Sequence, residues 1–236
     1  MRLNRFFGNF DFSNEVIKSP DKDLINQLKN VLRLNNGDEI LLCDGKLNEA
    51  TCFIENIDKD EVVFKIIKVE KNKKEFEQEL ILYCSVLKRE NFEFVVQKAV
   101  ELGVNKIVPI ISSRTVKLGL KQDRLQKVIK EASEQSGRGI LPILSDSRAF
   151  KEAVEDSNDN DLNFIFELDE KSLNQVKIDF SKHKKIGVFI GPEGGWSEEE
   201  LKIKNAKFKI VGLSPFVLRA ETAAIAALAC ITQQFQ

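Results

Sequence analysis

From Leu80 onward the sequence alternates apolar runs of strand length with amphipathic helical stretches, and no other feature constrains the fold as much. The run 80–87 (LILYCSVL) is fully apolar, as a strand buried on both faces must be, and further strands are expected at 106–111 (KIVPII), 163–167 and 186–190. Between them, residues 91–102 place Phe92, Val95, Ala99 and Leu102 on one helical face, with Gly103 positioned to end the helix. Further helices are predicted at 123–135, at 197–205 and, Ala-rich, at 220–233, with one more strand at 207–213. Such alternation predicts an α/β domain built on a parallel sheet with helices on both sides.

The first seventy residues follow a different pattern. Short β-type runs at 2–7, Glu39–Cys43, 50–57 and 61–69 are punctuated by Asn36-Gly37-Asp38 and Asp44-Gly45 turn signals. One helix interrupts them, with Pro20 in its first turn after Ser19 and an apolar stripe of Leu24, Ile25, Leu28, Val31 and Leu32. A small, mostly antiparallel barrel or sandwich is expected, with the charged stretch 71–79 as linker. A length of 236 residues accommodates one small and one medium domain, and 42% hydrophobic residues suffice for two cores.

Charge and cysteine narrow the functional classes. Lys+Arg number 36 and Asp+Glu 37, so a chain coated in basic residues to grip any nucleic acid is excluded, whereas one local patch is not. Residues 85–148 carry 12 basic against 7 acidic groups (net +5), and residues 149–200 carry 6 against 13 (net −7). Cys43, Cys52, Cys84 and Cys230 form no C-x-x-C pair and read as buried, reduced thiols. A single histidine, His183, leaves no base for a Ser/His/Asp triad and few ligands for a metal. The start lacks an apolar signal region and no long apolar span follows, so a cytoplasmic protein without membrane partners is expected.

Two loops carry the chemistry. In IGVFIGPEGGWSEEE, residues 186–200, a strand runs into a glycine-rich turn, and Ser197 with Glu200 forms the pattern of a capping box. Glycines there let a ligand approach the backbone beside a helix N-terminus, at the strand end where open parallel sheets bind ligands. The loop fits neither the dinucleotide nor the P-loop pattern. In GLSPFVLRAETAAIAAL, residues 212–228, a second strand ends in a loop before a helix that begins near Ala220. The helix dipole favours Glu221 at that end and disfavours Arg219, so Arg219 has the greater need of a functional explanation.

Five segments in order resemble the RsmE family of SPOUT methyltransferases, which methylate N3 of a uridine in small-subunit (16S) ribosomal RNA. They are VLRLNNGDEILLCDG (31–45), KRENFEFVVQKAVELGVNKIVPIISSRTV (88–116), EASEQSGRGILP (131–142), IGPEGGWSEEE and VLRAETAA. The chain departs from the family pattern where Ser214 replaces a glycine and Phe216 an arginine, and no histidine is evident before Val31.

The resemblance implies a PUA-like β-barrel over residues 1–72 and a knotted, dimerising SPOUT domain over 73–236 that holds S-adenosylmethionine. It carries cofactor contacts onto Leu168, Ile190, Gly191, Glu193, Gly194, Gly195, Leu213, Leu218, Arg219, Glu221 and Thr222. Arg219, Glu221 and Arg138 are the expected catalytic groups, and Arg33, Lys88, Lys98, Arg114 and Arg138 the expected RNA contacts. Lys98 and Glu101, three apart on one helix, could equally pair with each other. The partners implied are small-subunit ribosomal RNA, or the assembled small subunit, and a second copy of the chain; no metal is implied. A ribose 2′-O-methyltransferase of the same superfamily and a non-catalytic RNA-binding assembly factor remain the alternatives.

Overall fold

The computed structural model describes residues 3–115, 119–168, 170–203 and 205–235 and divides into two compact units. Arg2, at the head of the first expected strand, and Lys204, in the expected helix 197–205, lie outside the described residues.

The first unit contains β1 (Asn4–Phe7), β2 (Val16–Ser19), helix α1 (Lys22–Asn26), β3 (Glu39–Cys43), β4 (Asn48–Ile57) and β5 (Val62–Lys71). Their order in the sheet is β1–β3–β4–β5–β2; β1 pairs parallel with β3 and every other pairing is antiparallel. Strand β2 is absent from the sequence reading because only Ile17 and Ser19 of its four residues turn inward. Asp21 caps α1, accepting hydrogen bonds from the amides of Asp23 (2.9 Å) and Leu24 (3.2 Å), so Pro20 precedes the helix and does not lie in its first turn. A π-helical turn, Gln27–Val31, continues α1, and Leu24, Ile25 and Leu28 enter the core with Phe6, Ile40, Leu42, Ile54 and Phe64.

The boundary falls after Glu75, and the chain enters this unit again over Ser133–Leu141. The sequence reading places that segment wholly in the second domain. A buried polar network holds it in the first. Arg138 pairs with Glu75 at 2.9 Å, and Glu75 also accepts from the amides of Gly139 (2.7 Å) and Ile140 (3.2 Å). Arg5 pairs with Glu49 and donates to the Arg138 carbonyl at 3.3 Å, while Asn72 bridges Glu49 and the Gly137 carbonyl.

The second unit begins with β6 (Glu79–Ser85), α2 (Arg89–Glu101), β7 (Lys106–Ile111) and α3 (Gln122–Ser136), the last four residues of α3 belonging to the first unit. It continues with β8 (Ile143–Leu144), β9 (Arg148–Ala149), α4 (Phe150–Asp156), β10 (Leu162–Phe166), β11 (Lys185–Ile190), α5 (Glu198–Leu201), β12 (Phe208–Val211) and α6 (Ala220–Thr232). The sheet is parallel throughout, in the order β12–β10–β11–β6–β7–β8, with β9 also on β7.

Alternation along each strand divides the core into two layers. Leu80, Leu82, Phe164, Val188 and Ile190 pack against α2, α3 and α6, whereas Ile81, Tyr83, Ile165 and Phe189 face Ala153 of α4, Trp196 and Phe208. The sequence reading has no α4, whose only buried residue is Ala153. Helix α5 stops at Leu201, well short of the expected 205. Leu201 and Ile203 both pack on the core, and a spacing of two suits irregular chain better than a helix. Burial pushes the thiols of Cys43, Cys52 and Cys84 up to about 12, as expected of reduced structural cysteines.

Candidate functional site

The loops after β6, β10, β11 and β12 open at the C-terminal edge of the second unit's sheet and surround a cleft of 1070 Å³. Local chemistry fixes each wall. In the loop after β11, Gly195 takes φ +68°, a left-handed conformation, and its amide donates to the Pro192 carbonyl at 2.9 Å. Trp196 is buried and donates from Nε1 to the Phe166 carbonyl (3.1 Å), tying this loop to the end of β10. A Cβ on Gly212 would stand 2.5 Å from the Glu170 carbonyl oxygen, so only glycine lets the end of β12 pass that close to the segment after β10.

The capping box forms as the sequence predicts: the Glu200 amide donates to Ser197 Oγ (3.3 Å) and the Ser197 amide to Glu200 Oε2 (2.8 Å). The same carboxylate, buried, also accepts from the Ser113 amide (2.9 Å) and hydroxyl (3.1 Å) in the loop after β7. Burial works to raise the Glu200 pKa, yet these donors outweigh it and hold the group below its ordinary value. Next to Ser113, Arg114 donates to the Gly194 carbonyl at 2.7 Å. The loop after β7 thus grips the glycine-rich loop at both ends.

The structure brings most of the sequence-predicted residues together. Leu168 comes from the loop after β10; Ile190, Gly191, Glu193, Gly194 and Gly195 from the loop after β11; and Leu213, Leu218, Arg219 and Glu221 from the loop after β12 and the start of α6. Lys88 and Arg114, expected to meet RNA, line the same cleft. Arg219 stands at the N-cap of α6, exposed, and among the described residues no hydrogen bond or ion pair engages its guanidinium. Glu221 accepts from Asn91 Nδ2 at 3.5 Å.

Four expected residues lie elsewhere. Thr222 is exposed on the first turn of α6 and is not part of the lining, because the helix turns it away from Glu221. Lys98 bonds Glu101 at 2.8 Å and sits 5.6 Å above the Phe94 ring, so the plain i, i+3 pair is what forms. Arg33 is exposed in the first unit, on a left-handed backbone turn of φ 56°. Arg138 requires a correction. It is 6% exposed and its guanidinium is committed to Glu75, so it has neither the exposure nor the freedom that a catalytic or RNA-contacting arginine needs. Asn91, Trp196 and Val217 line the cleft although the sequence does not mark them as site residues, and Phe216, which stands where the family has an arginine, lines it too. Asn91 and Trp196 sit inside the motifs that carry the family resemblance, so position within the motif is the available signal.

Comparisons with known proteins agree with this geometry. The family model for an RNA methyltransferase domain matches residues 74–232, and that for an RNA methyltransferase PUA domain matches 21–67. Ribosomal RNA small subunit methyltransferase E of Bacillus subtilis is 29% identical over 89% of this chain and 87% of its own. Ribosomal RNA small subunit methyltransferase E 2 of Borreliella burgdorferi is 33% identical over 89% of this chain and 88% of its own. The crystal structure of ribosomal RNA small subunit methyltransferase E from Neisseria gonorrhoeae, bound to S-adenosyl methionine, superimposes with a TM-score of 0.90 at 28% identity over 98% of both chains. A PUA domain ahead of a parallel α/β methyltransferase domain is therefore this chain's architecture, and the chain belongs to the RNA methyltransferase family, in the RsmE group that methylates small-subunit ribosomal RNA.

Proposed function

We propose that the chain transfers a methyl group from S-adenosylmethionine to N3 of a uridine in small-subunit ribosomal RNA, with the assembled small subunit as substrate. The cleft is the observation that carries this reading: a glycine-built pocket at the C-terminal strand edge, with Arg219, unpaired among the described residues, at its mouth. Its 1070 Å³ exceeds the roughly 300–1,000 Å³ of most small-ligand pockets and leaves room for a base beside a cofactor. A Cβ on Gly195 would meet nothing within 4 Å, so the loop leaves open space over its backbone for the cofactor. Leu168, the segment from Ile190 to Gly195, Leu213 and Leu218 are the residues that would hold it. The cofactor supplies a methyl group on a positively charged sulfur.

The chain's own groups must then make N3 nucleophilic, because in uridine that nitrogen carries a proton. Glu221, steadied by Asn91, is the carboxylate placed to accept the proton. Arg219 offers donors to the uracil oxygens, where negative charge grows as the proton leaves. His183 lies beyond the 3₁₀ turn Phe180–Lys182 and does not line the cleft. The strand order β12–β10–β11–β6, with α6 returning over β11 and α2, supports the knotted path that this reading brings with it. The reading also brings a homodimer in the cytoplasm. Among the described residues, no helix is long and apolar enough to cross a membrane, and no cluster of three or more His, Cys, Asp or Glu could hold a metal.

The test is transfer of labelled methyl to small ribosomal subunits lacking the mark, followed by nuclease digestion and mass spectrometry. Recovery of 3-methyluridine is the expected result. Label on a ribose oxygen, or none on RNA, overturns the reading.

A further inference from the structure

Phe216 and Val217 are 76% and 81% exposed, the highest values of any large apolar side chains among the described residues. Both line the functional cleft. Neither fills core, so the loop after β12 holds a bare aromatic ring in water at the mouth of a site. Its backbone is set for this: Pro215 precedes the ring, and the Phe216 amide donates to Ser214 Oγ at 3.0 Å. The same cleft carries three cations, Lys88, Arg114 and Arg219, beside five glutamates, and no carboxylate pairs with any of the three among the described residues. A flat apolar face beside positive groups suits a ligand with flat rings on an anionic backbone. An apolar protein segment would leave Lys88 and Arg219 without partners.

We propose that Phe216 is a stacking platform for an unpaired nucleobase of the RNA substrate, the base flanking the one that enters the cleft. The rim position points to the flanking base, because the reacting base must lie deeper, beside Glu221. This deepens the function proposed above and rests on it. The loop turns one nucleotide outward against Phe216 while a flanking phosphate meets Lys88.

The experiment compares wild type with F216A, F216L and F216Y in four measurements. These are cofactor affinity by calorimetry, binding of a labelled small-subunit RNA fragment, steady-state methyl transfer, and oligomeric state by sedimentation. One stacked base is worth about 1–3 kcal/mol, so RNA Kd and KM should rise roughly tenfold in F216A. They should stay raised in F216L, which keeps apolar bulk but loses the ring face, and return in F216Y. Cofactor affinity, kcat at saturating RNA and oligomeric state should remain within about twofold, since stacking of a flanking base adds binding alone.

Wild-type RNA affinity in F216L overturns the proposal. So does a loss confined to cofactor affinity, which would make Phe216 a cover for the cofactor, or a change in association state, which would make it a contact between copies. A wild-type chain that binds RNA through Phe216 yet transfers no methyl fails the function reading and leaves the platform standing. A wild-type chain that does not bind RNA fails both.

Discussion

Arg5 and Arg138 of the first unit and Arg219 of the second show two opposite uses of arginine. In the first, Arg5 is half-buried and Arg138 buried, they pair with Glu49 and Glu75, and the pairs fasten the returning segment Ser133–Leu141 to the sheet. In the second, Arg219 stands exposed at a helix start, where the dipole opposes it, and among the described residues no hydrogen bond or ion pair engages its guanidinium. A buried pair leaves neither partner available to a ligand, and breaking it strands a charge. An unpaired arginine at a strand-end cleft contributes little to folding and is available to whatever enters. Residue type does not distinguish these roles; the presence of a partner does.

Removing Arg138 gives the largest expected effect. Arg138→Ala leaves Glu75 buried without its counter-ion and should cost about 3–5 kcal/mol in urea unfolding, while cofactor affinity of the folded fraction stays unchanged. Full stability with abolished methyl transfer would break the comparison outright. Arg219→Ala is the mirror case. Single-turnover transfer at saturating cofactor should fall roughly 10²–10³-fold, with the unfolding midpoint unmoved. A shifted midpoint would make Arg219 a structural group.

Glu200→Gln gives the smallest effect and sharpens the middle ground, since Glu200 is buried within the site itself. Loss of its charge-assisted bonds to Ser197 and Ser113 should cost about 1.5–3 kcal/mol at neutral pH. The native carboxyl titrates below its ordinary value of 4.5, so its stabilisation is complete above that value and disappears as pH falls through the lowered one. The gap between wild type and variant should close in strongly acid urea titrations. A gap that persists there means the amide misfits for reasons other than charge.

Elements whose own residues carry their reason are legible in the sequence. Strands β6, β7, β10 and β11 announce themselves by predominantly apolar runs, α2 by its stripe and Gly103, and the start of α5 by the Ser197–Glu200 box. The glycine-rich loop and Arg219 are legible for the same reason, because strain and an adverse dipole are local facts. Long-range partners are not. Nothing near Arg138 reveals a carboxylate at position 75, 63 residues earlier, so a paired structural arginine reads as a functional one. Strand β2 and helix α4 each bury too few residues to print a period, and the direction in which α6 turns Thr222 depends on where the helix begins.

The return of Ser133–Leu141 to the first unit has a consequence for the order of events during synthesis. A nascent chain that has emerged as far as Glu75 holds every strand of the antiparallel sheet but not the arginine that neutralises its last carboxylate. That arginine arrives 63 residues later, after β6, α2 and β7 have been made. The leading domain therefore waits, incompletely locked, on its successor. Closing a loop of that length costs entropy that only the finished contacts repay. The N-terminal unit is the first to be translated but is sealed only after synthesis of the second has begun.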